Sequence, residues 1–123
     1  MAQRSVLLIE DNISNVKLAE TVLTQAGYRV VVAMTAEQAL PMFHAHHPDV
    51  ILMDIQLPRM DGITALQHFR TDPQSRATKI IAVTAMAMKG DRERMLAGGF
   101  DGYVAKPYRQ EELLSAVRRA IGA

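Results

Sequence analysis

The sequence predicts an α/β fold: a doubly wound, five-stranded parallel sheet with helices on both faces. Three observations predict it. Five short apolar runs recur along the 123 residues: Val6 to Ile9, Tyr28 to Ala33, Val50 to Met53, Ile80 to Val83 and a weaker Tyr103 to Ala105. The first four are continuous in Val, Ile and Leu rather than alternating with polar residues, the pattern of strands buried on both faces. Each run is followed by a segment with helical apolar spacing, and that alternation gives a parallel sheet with right-handed crossovers.

The helical segments follow in order. In the first, Val16, Ala19, Val22, Leu23 and Ala26 mark one face, and Gly27 is a stop. The second opens at Thr35 and Gln38, a capping-box spacing. Pro41 falls inside it, so this helix is either kinked or begins later with Pro41 in its first turn. The third carries Ile63, Leu66 and Phe69 after Asp61. The fourth follows Asp91, carries Met95 and Leu96, and stops at Gly98-Gly99. The fifth has Leu113, Val117 and Ile121, with Glu111 and Glu112 in its first turn and Arg118 and Arg119 in its last, which suits the helix dipole. Two five-strand architectures fit: a Rossmann half with additions, and the flavodoxin-like order 2-1-3-4-5, whose ligand lies at the switch point between strands 1 and 3.

Composition narrows the function. With 49% hydrophobic and 22% charged residues, the chain is ordinary for a globular domain. Residues 1–123 are expected to form one domain with no output module. A net charge of +1 gives no electrostatic footprint for nucleic acid or an anionic membrane. Zero Cys excludes disulfides, thiol catalysis and cysteine-based zinc sites. The N-terminus has no small-residue cleavage site, and no run reaches the ~18 apolar residues of a membrane span, so a cytoplasmic location is expected. His44, His46 and His47 lack the i, i+4 spacing of a helical metal site and are expected to be exposed, as is His68. Met53 and Met95 are expected in the core, and Met86 and Met88 at a partner contact or buried.

The chemistry gathers where each strand ends. Glu10 and Asp11 follow strand 1, Asp54 follows strand 3, Thr84 follows strand 4 and Lys106 follows strand 5. In the 2-1-3-4-5 order, strands 1 and 3 are neighbours, so three carboxylates meet at the switch point. Crowded carboxylates raise at least one pKa, and a divalent cation relieves them; an all-oxygen set suits Mg²⁺. Carboxylates, Mg²⁺, a lysine and a hydroxyl are what a phosphoryl group needs around it. With no Ser or Cys nucleophile evident beside a base, Asp54 is the candidate for an aspartyl-phosphate intermediate.

Glu10-Asp11-Asn12, Met53-Asp54-Ile55-Gln56-Leu57-Pro58 with Met60-Asp61-Gly62, Thr84-Ala85 and Lys106-Pro107 resemble the receiver domain of two-component response regulators, of the CheY-like superfamily, over essentially the whole chain. The stretch Leu52 to Pro58, and Thr84-Ala85 followed by Met86 to Arg94, are most similar to DivK-type single-domain regulators. The same stretches occur in receivers of hybrid histidine kinases. The resemblance implies that Asp54 accepts the phosphoryl group. Asp11 and Asp54 would ligate Mg²⁺ directly with the backbone carbonyl of Gln56, and Glu10 would act mostly through a metal-bound water. It implies that Lys106 pairs first with Asp54 and then with the phosphoryl group, whose oxygens also meet the Thr84 hydroxyl and the Ala85 backbone. Tyr103 would be the aromatic switch, and the Lys106–Pro107 bond would be cis. Gln56 and Met86 would flank the attacking water and set the phosphate lifetime.

The implied partners are histidine kinases or a phosphotransfer protein, and downstream proteins bound through helix 4, strand 5 and helix 5. Lys89, Arg92 and Arg94 would border that surface. Nucleic acid and membrane insertion are not implied, and the chain would be a monomer or weak dimer. An alternative is a hybrid-kinase receiver or phosphorelay intermediate that passes phosphate to a histidine phosphotransfer domain. Either way it would catalyse only its own phosphorylation and dephosphorylation. A true aspartyl phosphatase would need a second Asp where Gln56 stands, and a flavodoxin-like cofactor binder would need a phosphate loop after strand 1 that is absent.

Overall fold

The computed structural model describes residues 3–57, 60–85 and 89–122. The elements alternate throughout: β1 Ser5–Ile9, α1 Ile13–Gln25, β2 Arg29–Ala33, α2 Ala36–His46, β3 Val50–Asp54, α3 Gly62–Thr71, β4 Lys79–Thr84, α4 Asp91–Ala97, β5 Gly102–Ala105 and α5 Gln110–Ile121. All strand pairs are parallel, in the order β2-β1-β3-β4-β5. That order selects the flavodoxin-like architecture over the Rossmann half.

The period of two along each strand divides the core between the sheet's faces. Leu7, Ile9, Ile51, Met53, Ile80 and Ala82 point to the side covered by α2, α3 and α4, where Ala39, Phe43, Leu66, Phe69 and Met95 meet them. Val6, Leu8, Val50, Leu52, Ile81 and Val83 point to the side covered by α1 and α5, against Val22, Leu23, Leu113 and Val117. β1 and β3 are buried at every position, which is why they read as unbroken apolar runs.

The helix starts follow their caps. Asn12 Oδ1 accepts from the Asn15 N–H at 3.0 Å, Thr35 Oγ1 from Gln38 at 3.2 Å, and Asp61 Oδ1 from Thr64 at 2.8 Å. The Gln38 side chain reaches back to the Met34 N–H at 3.1 Å, one residue before the cap, so the expected capping box is only half formed. α2 begins at Ala36 and runs through Pro41, which excludes the later start. Pro41 therefore lacks the N–H that would bond the Glu37 carbonyl. Three positions assigned to apolar faces lie outward: Ile63 is 49% exposed, Leu96 is 38% exposed, and Ala26 is an exposed C-cap. In α3 the core is filled instead by Ala65, Leu66 and Phe69.

Candidate functional site

Four strand ends converge at the carboxyl edge of the sheet. β1 and β3 are paired side by side, with Ile9 opposite Met53. That register sets Glu10, the residue after β1, beside Asp54, the last residue of β3. Asp54 and Thr84 are the terminal residues of their strands rather than loop residues, and both are buried. β5 lies next to β4, and the Lys106 N–H donates to the Thr84 carbonyl at 2.8 Å, extending the ladder by one bond. The Lys106 side chain thereby crosses the strand ends to the acidic residues. The Lys106–Pro107 bond is cis, as the resemblance implies.

Glu10 is the most engaged of the three carboxylates. Its Oε1 accepts from Lys106 Nζ at 2.6 Å, and its Oε2 faces the N–H groups of Asp11 and Asn12 at 3.1 and 3.3 Å. Asp54 Oδ2 lies 3.2 Å from the same Lys106 Nζ, and its Oδ1 accepts from the Gln56 N–H at 3.0 Å. Asp11 is exposed, and its carboxylate makes no hydrogen bond within the described residues.

The electrostatics follow from burial and crowding. Burial lifts the Glu10 pKa above the ordinary glutamate value, the Lys106 hydrogen bond opposes that, and the neighbouring Asp54 adds to the rise. Burial is also the largest single influence on Lys106, pulling its pKa down. The Glu10 hydrogen bond and the charges of Asp54 and Glu10 together outweigh it, so the ammonium is held above the usual lysine range.

Glu10, Asp11 and Asp54 each offer an oxygen, all within 4.8 Å of one another. Three carboxylates against one ammonium leave the pocket with excess negative charge. An all-oxygen donor set of this size fits a hard divalent cation such as Mg²⁺ better than a soft metal.

α3 starts close against the end of β3 through a residue whose role was not read from the sequence. Gly62 donates to the Ile55 carbonyl at 2.9 Å, and a Cβ at this position would lie 2.8 Å from the Ile55 Cα and 3.2 Å from the Asp54 carbonyl oxygen. Only glycine lets α3 start this close to the end of β3. The signal was present in Asp61-Gly62, but spacing alone assigns it to a helix start.

The remaining candidates lie as follows. Ala85 is exposed beyond β4, and Gln56 is exposed beyond β3. Tyr103 is half-buried on β5 and packs against the core beneath α4. Met86 and Met88 lie outside the described residues. His44, His46, His47 and His68 are exposed and form no metal cluster among the described residues.

Comparison with known proteins agrees with this geometry. The polar-differentiation response regulator DivK of Brucella ovis is 38% identical over 119 residues, covering 97% of each chain. The receiver domain of the sensor histidine kinase PA1611 of Pseudomonas aeruginosa, whose crystal structure holds a magnesium ion in its active-site cleft, is 39% identical with a TM-score of 0.89, over 99% of this chain and 100% of that one. The chemotaxis protein CheY4 of Vibrio cholerae is 29% identical with a TM-score of 0.89, over 97% and 99%. Residues 6–118 match the response regulator receiver domain family, so the carboxylate cluster at the β1–β3 switch point belongs to a chain that is a member of that family.

Proposed function

We propose that this receiver domain accepts a phosphoryl group on Asp54 from a phosphohistidine of a partner protein, and signals through contacts that change with phosphorylation. The observation that carries the reading is the state of Asp54. It is 7% exposed, ends the central strand, and is held by the Gln56 N–H on one oxygen and the Lys106 ammonium on the other.

In the transfer, a carboxylate oxygen of Asp54 forms the new O–P bond. The P–N bond of the phosphohistidine breaks, and its electron pair returns to the imidazole nitrogen. Mg²⁺ held by Asp11, Asp54 and the Gln56 carbonyl would neutralise charge on the phosphoryl oxygens. Lys106 supplies a fixed cation beside the acceptor, and Glu10 keeps that ammonium charged and aimed. Thr84 at the end of β4 and the Ala85 backbone offer donors to the phosphoryl oxygens. Movement of Thr84 toward the new group opens space for Tyr103, and the surface of α4, β5 and α5 changes with it. Gln56 and Met86 set the phosphate lifetime in this reading; the apolar Met86 favours a long-lived phosphate, and Met86→Glu should shorten it.

The test is incubation with acetyl phosphate and Mg²⁺, read by intact mass. An adduct of about 80 Da that disappears in Asp54→Asn supports the reading, the added group being a phosphoryl. No adduct with the unaltered chain refutes it.

We further propose that residues 1–123 act alone, as DivK-type regulators do, with output through protein partners. DivK and the receiver of a sensor kinase are about equally similar, which favours a second reading, transfer onward to a histidine phosphotransfer domain. Loss of the label from Asp54 on adding such a domain would select that reading.

A further inference from the structure

Between α2 and α3 lies a hollow of about 250 Å³. None of its lining residues belongs to the Glu10, Asp11 and Asp54 cluster. Small side chains leave it open: Ala36 on α2 and Ala65 on α3 are both buried and both line it, and Leu40 and Phe69 complete its apolar wall. Cavities that hold drug-sized ligands begin at about 300 Å³, so this one suits a single ring on a short chain.

The polar side chains at the hollow are unmatched. Glu37 on α2 and His68 on α3 line it and are exposed. Neither side chain forms an ion pair or a hydrogen bond among the described residues. No lysine or arginine among the described residues lines the hollow, so the Glu37 charge is unanswered there. The same residue carries a second acceptor. Pro41 lies inside α2 and has no N–H, so the Glu37 carbonyl has no donor from the next turn. An acid in the first turn of a helix suits its dipole. That accounts for the charge, but not for its meeting an apolar hollow and a freed carbonyl.

A mostly apolar cavity with a few converging polar groups is the composition of a small-molecule site. Here those groups are acceptors, which calls for a donor with positive charge. A primary ammonium has three N–H donors, and its bond to a carboxylate is stronger than a neutral hydrogen bond. The apolar body behind it leaves water, and an aromatic ring gains further from contact with Phe69.

We propose that the α2–α3 hollow binds a small amphipathic cation, an arylalkylamine. Its ammonium donates to the Glu37 carboxylate and to the carbonyl that Pro41 leaves free. The acceptor nitrogen of a neutral imidazole at His68 takes the third N–H. Its ring lies between Ala36 and Ala65, against Leu40 and Phe69. The phospho-acceptor chemistry at Asp54 is not needed for this binding, and the hollow would hold the amine whether or not Asp54 is modified.

The test titrates the full chain with three probes of one shape, 2-phenylethylamine, 2-phenylethanol and 3-phenylpropionate, followed by amide chemical shifts. Mg²⁺ is present throughout to compete for the acidic site. The amine is expected to bind with a Kd of about 1 mM or tighter, with shifts at Leu40, Ala65 and His68. The alcohol should bind at least about fivefold more weakly, and the carboxylate at least about tenfold more weakly. Glu37→Gln, at an exposed position, should bring the amine to the alcohol's affinity and leave the alcohol's affinity unchanged. Pro41→Ala, also exposed, returns a helical donor to the Glu37 carbonyl and should weaken the amine about threefold. Four results overturn the proposal. They are no amine shifts up to about 10 mM, shifts confined to the residues around Asp54, amine and alcohol binding equally well, or Glu37→Gln and Pro41→Ala both binding the amine as the parent does. The second would make the amine a ligand of the acidic site, and the third would make the hollow a plain apolar cavity.

Discussion

Lys106 sits closer to Glu10 than to Asp54, with its Nζ 2.6 Å from Glu10 Oε1 and 3.2 Å from Asp54 Oδ2. The ammonium is anchored more closely by Glu10 than by Asp54, the proposed acceptor. Asp54 therefore feels the positive charge without being tied into the shortest bond of the site. A lysine buried this far would drift toward neutrality if left alone, and the two carboxylates prevent it.

Replacement of that cation tests its part in the chemistry. Lys106→Ala leaves three carboxylates without their ammonium, so the charge developing on the phosphoryl group loses one stabiliser. The initial rate of adduct formation with acetyl phosphate should fall by about a hundredfold at saturating Mg²⁺, the scale of losing one fixed electrostatic contact. An unchanged rate would remove Lys106 from the reaction.

Glu10→Gln separates anchoring from reaction. The amide keeps an acceptor for Lys106 but removes one negative charge from the pocket. Mg²⁺ affinity, measured by calorimetry, should weaken on the order of ten- to a hundredfold, as for loss of an outer partner of a metal site. Unaltered Mg²⁺ affinity would mean that Glu10 serves only to hold the lysine.

Gly62→Ala probes the close approach of α3 to the end of β3. The added methyl meets the Ile55 backbone at 2.8 Å, which a side-chain rotation cannot relieve. The cost should be about 1–3 kcal/mol, the usual range for overpacking, read from the denaturant midpoint. The accompanying shift of α3 should also slow phosphorylation, because the Gln56 N–H that holds Asp54 belongs to the same loop.

Most of the site was legible because its residues follow strands whose apolar runs were unbroken. Once β1 and β3 are read as neighbours, Glu10, Asp11 and Asp54 must meet, whatever the details of the loops. Side-chain pairings were less legible. The preference of Lys106 for Glu10 depends on how far its side chain travels across two intervening strands, which no spacing records. Helix faces were read correctly in the middle of the helices and failed near the ends, as at Ala26 and Leu96. They failed again at Ile63, where a lone apolar residue in the first turn of α3 faces outward and the neighbouring core is filled by Ala65 and Leu66. Arg70 gave no signal at all, because its partners, three backbone carbonyls and the Asp101 carboxylate, are brought to it only by the fold.

Arg70 joins two loops at the amino edge of the sheet. Its NH1 donates to the carbonyls of Arg76 and Thr78 at 3.1 and 2.7 Å, and its NH2 to the Gly99 carbonyl and Asp101 Oδ2 at 3.1 and 2.6 Å. A lysine has no planar fork to span these acceptors. Arg70→Lys should lose nearly as much stability as Arg70→Ala, about 2–3 kcal/mol, since hydrogen bonds from a charged group are each worth more than neutral ones. Recovery of most of the stability by lysine would reduce the interaction to charge alone.

His44 gives the fold a pH dependence near neutrality. Its Nδ1 lies 2.8 Å from Gln74 Oε1 and its Nε2 lies 2.8 Å from Asp72 Oδ2, so with both partners accepting, the ring donates from both nitrogens as an imidazolium. The Gln74 hydrogen bond and then the Asp72 carboxylate raise the His44 pKa above the ordinary histidine value. Asp72 stays ionised, its pKa lowered first by the Gln74 N–H and then by His44. Because the folded value lies above the unfolded one, the folded state binds more protons between the two. The contribution is fully present below the unfolded value and is lost as pH rises through the folded value. Denaturant midpoints should therefore decline from mildly acidic to mildly alkaline pH in the parent, and the decline should be smaller in His44→Gln and in Asp72→Asn. The His44 ring resonances should titrate above the ordinary histidine value, and Asp72→Asn should bring them back toward it. Equal pH dependence in the parent and both variants would show that the bridge between α2 and the turn after α3 adds nothing to stability.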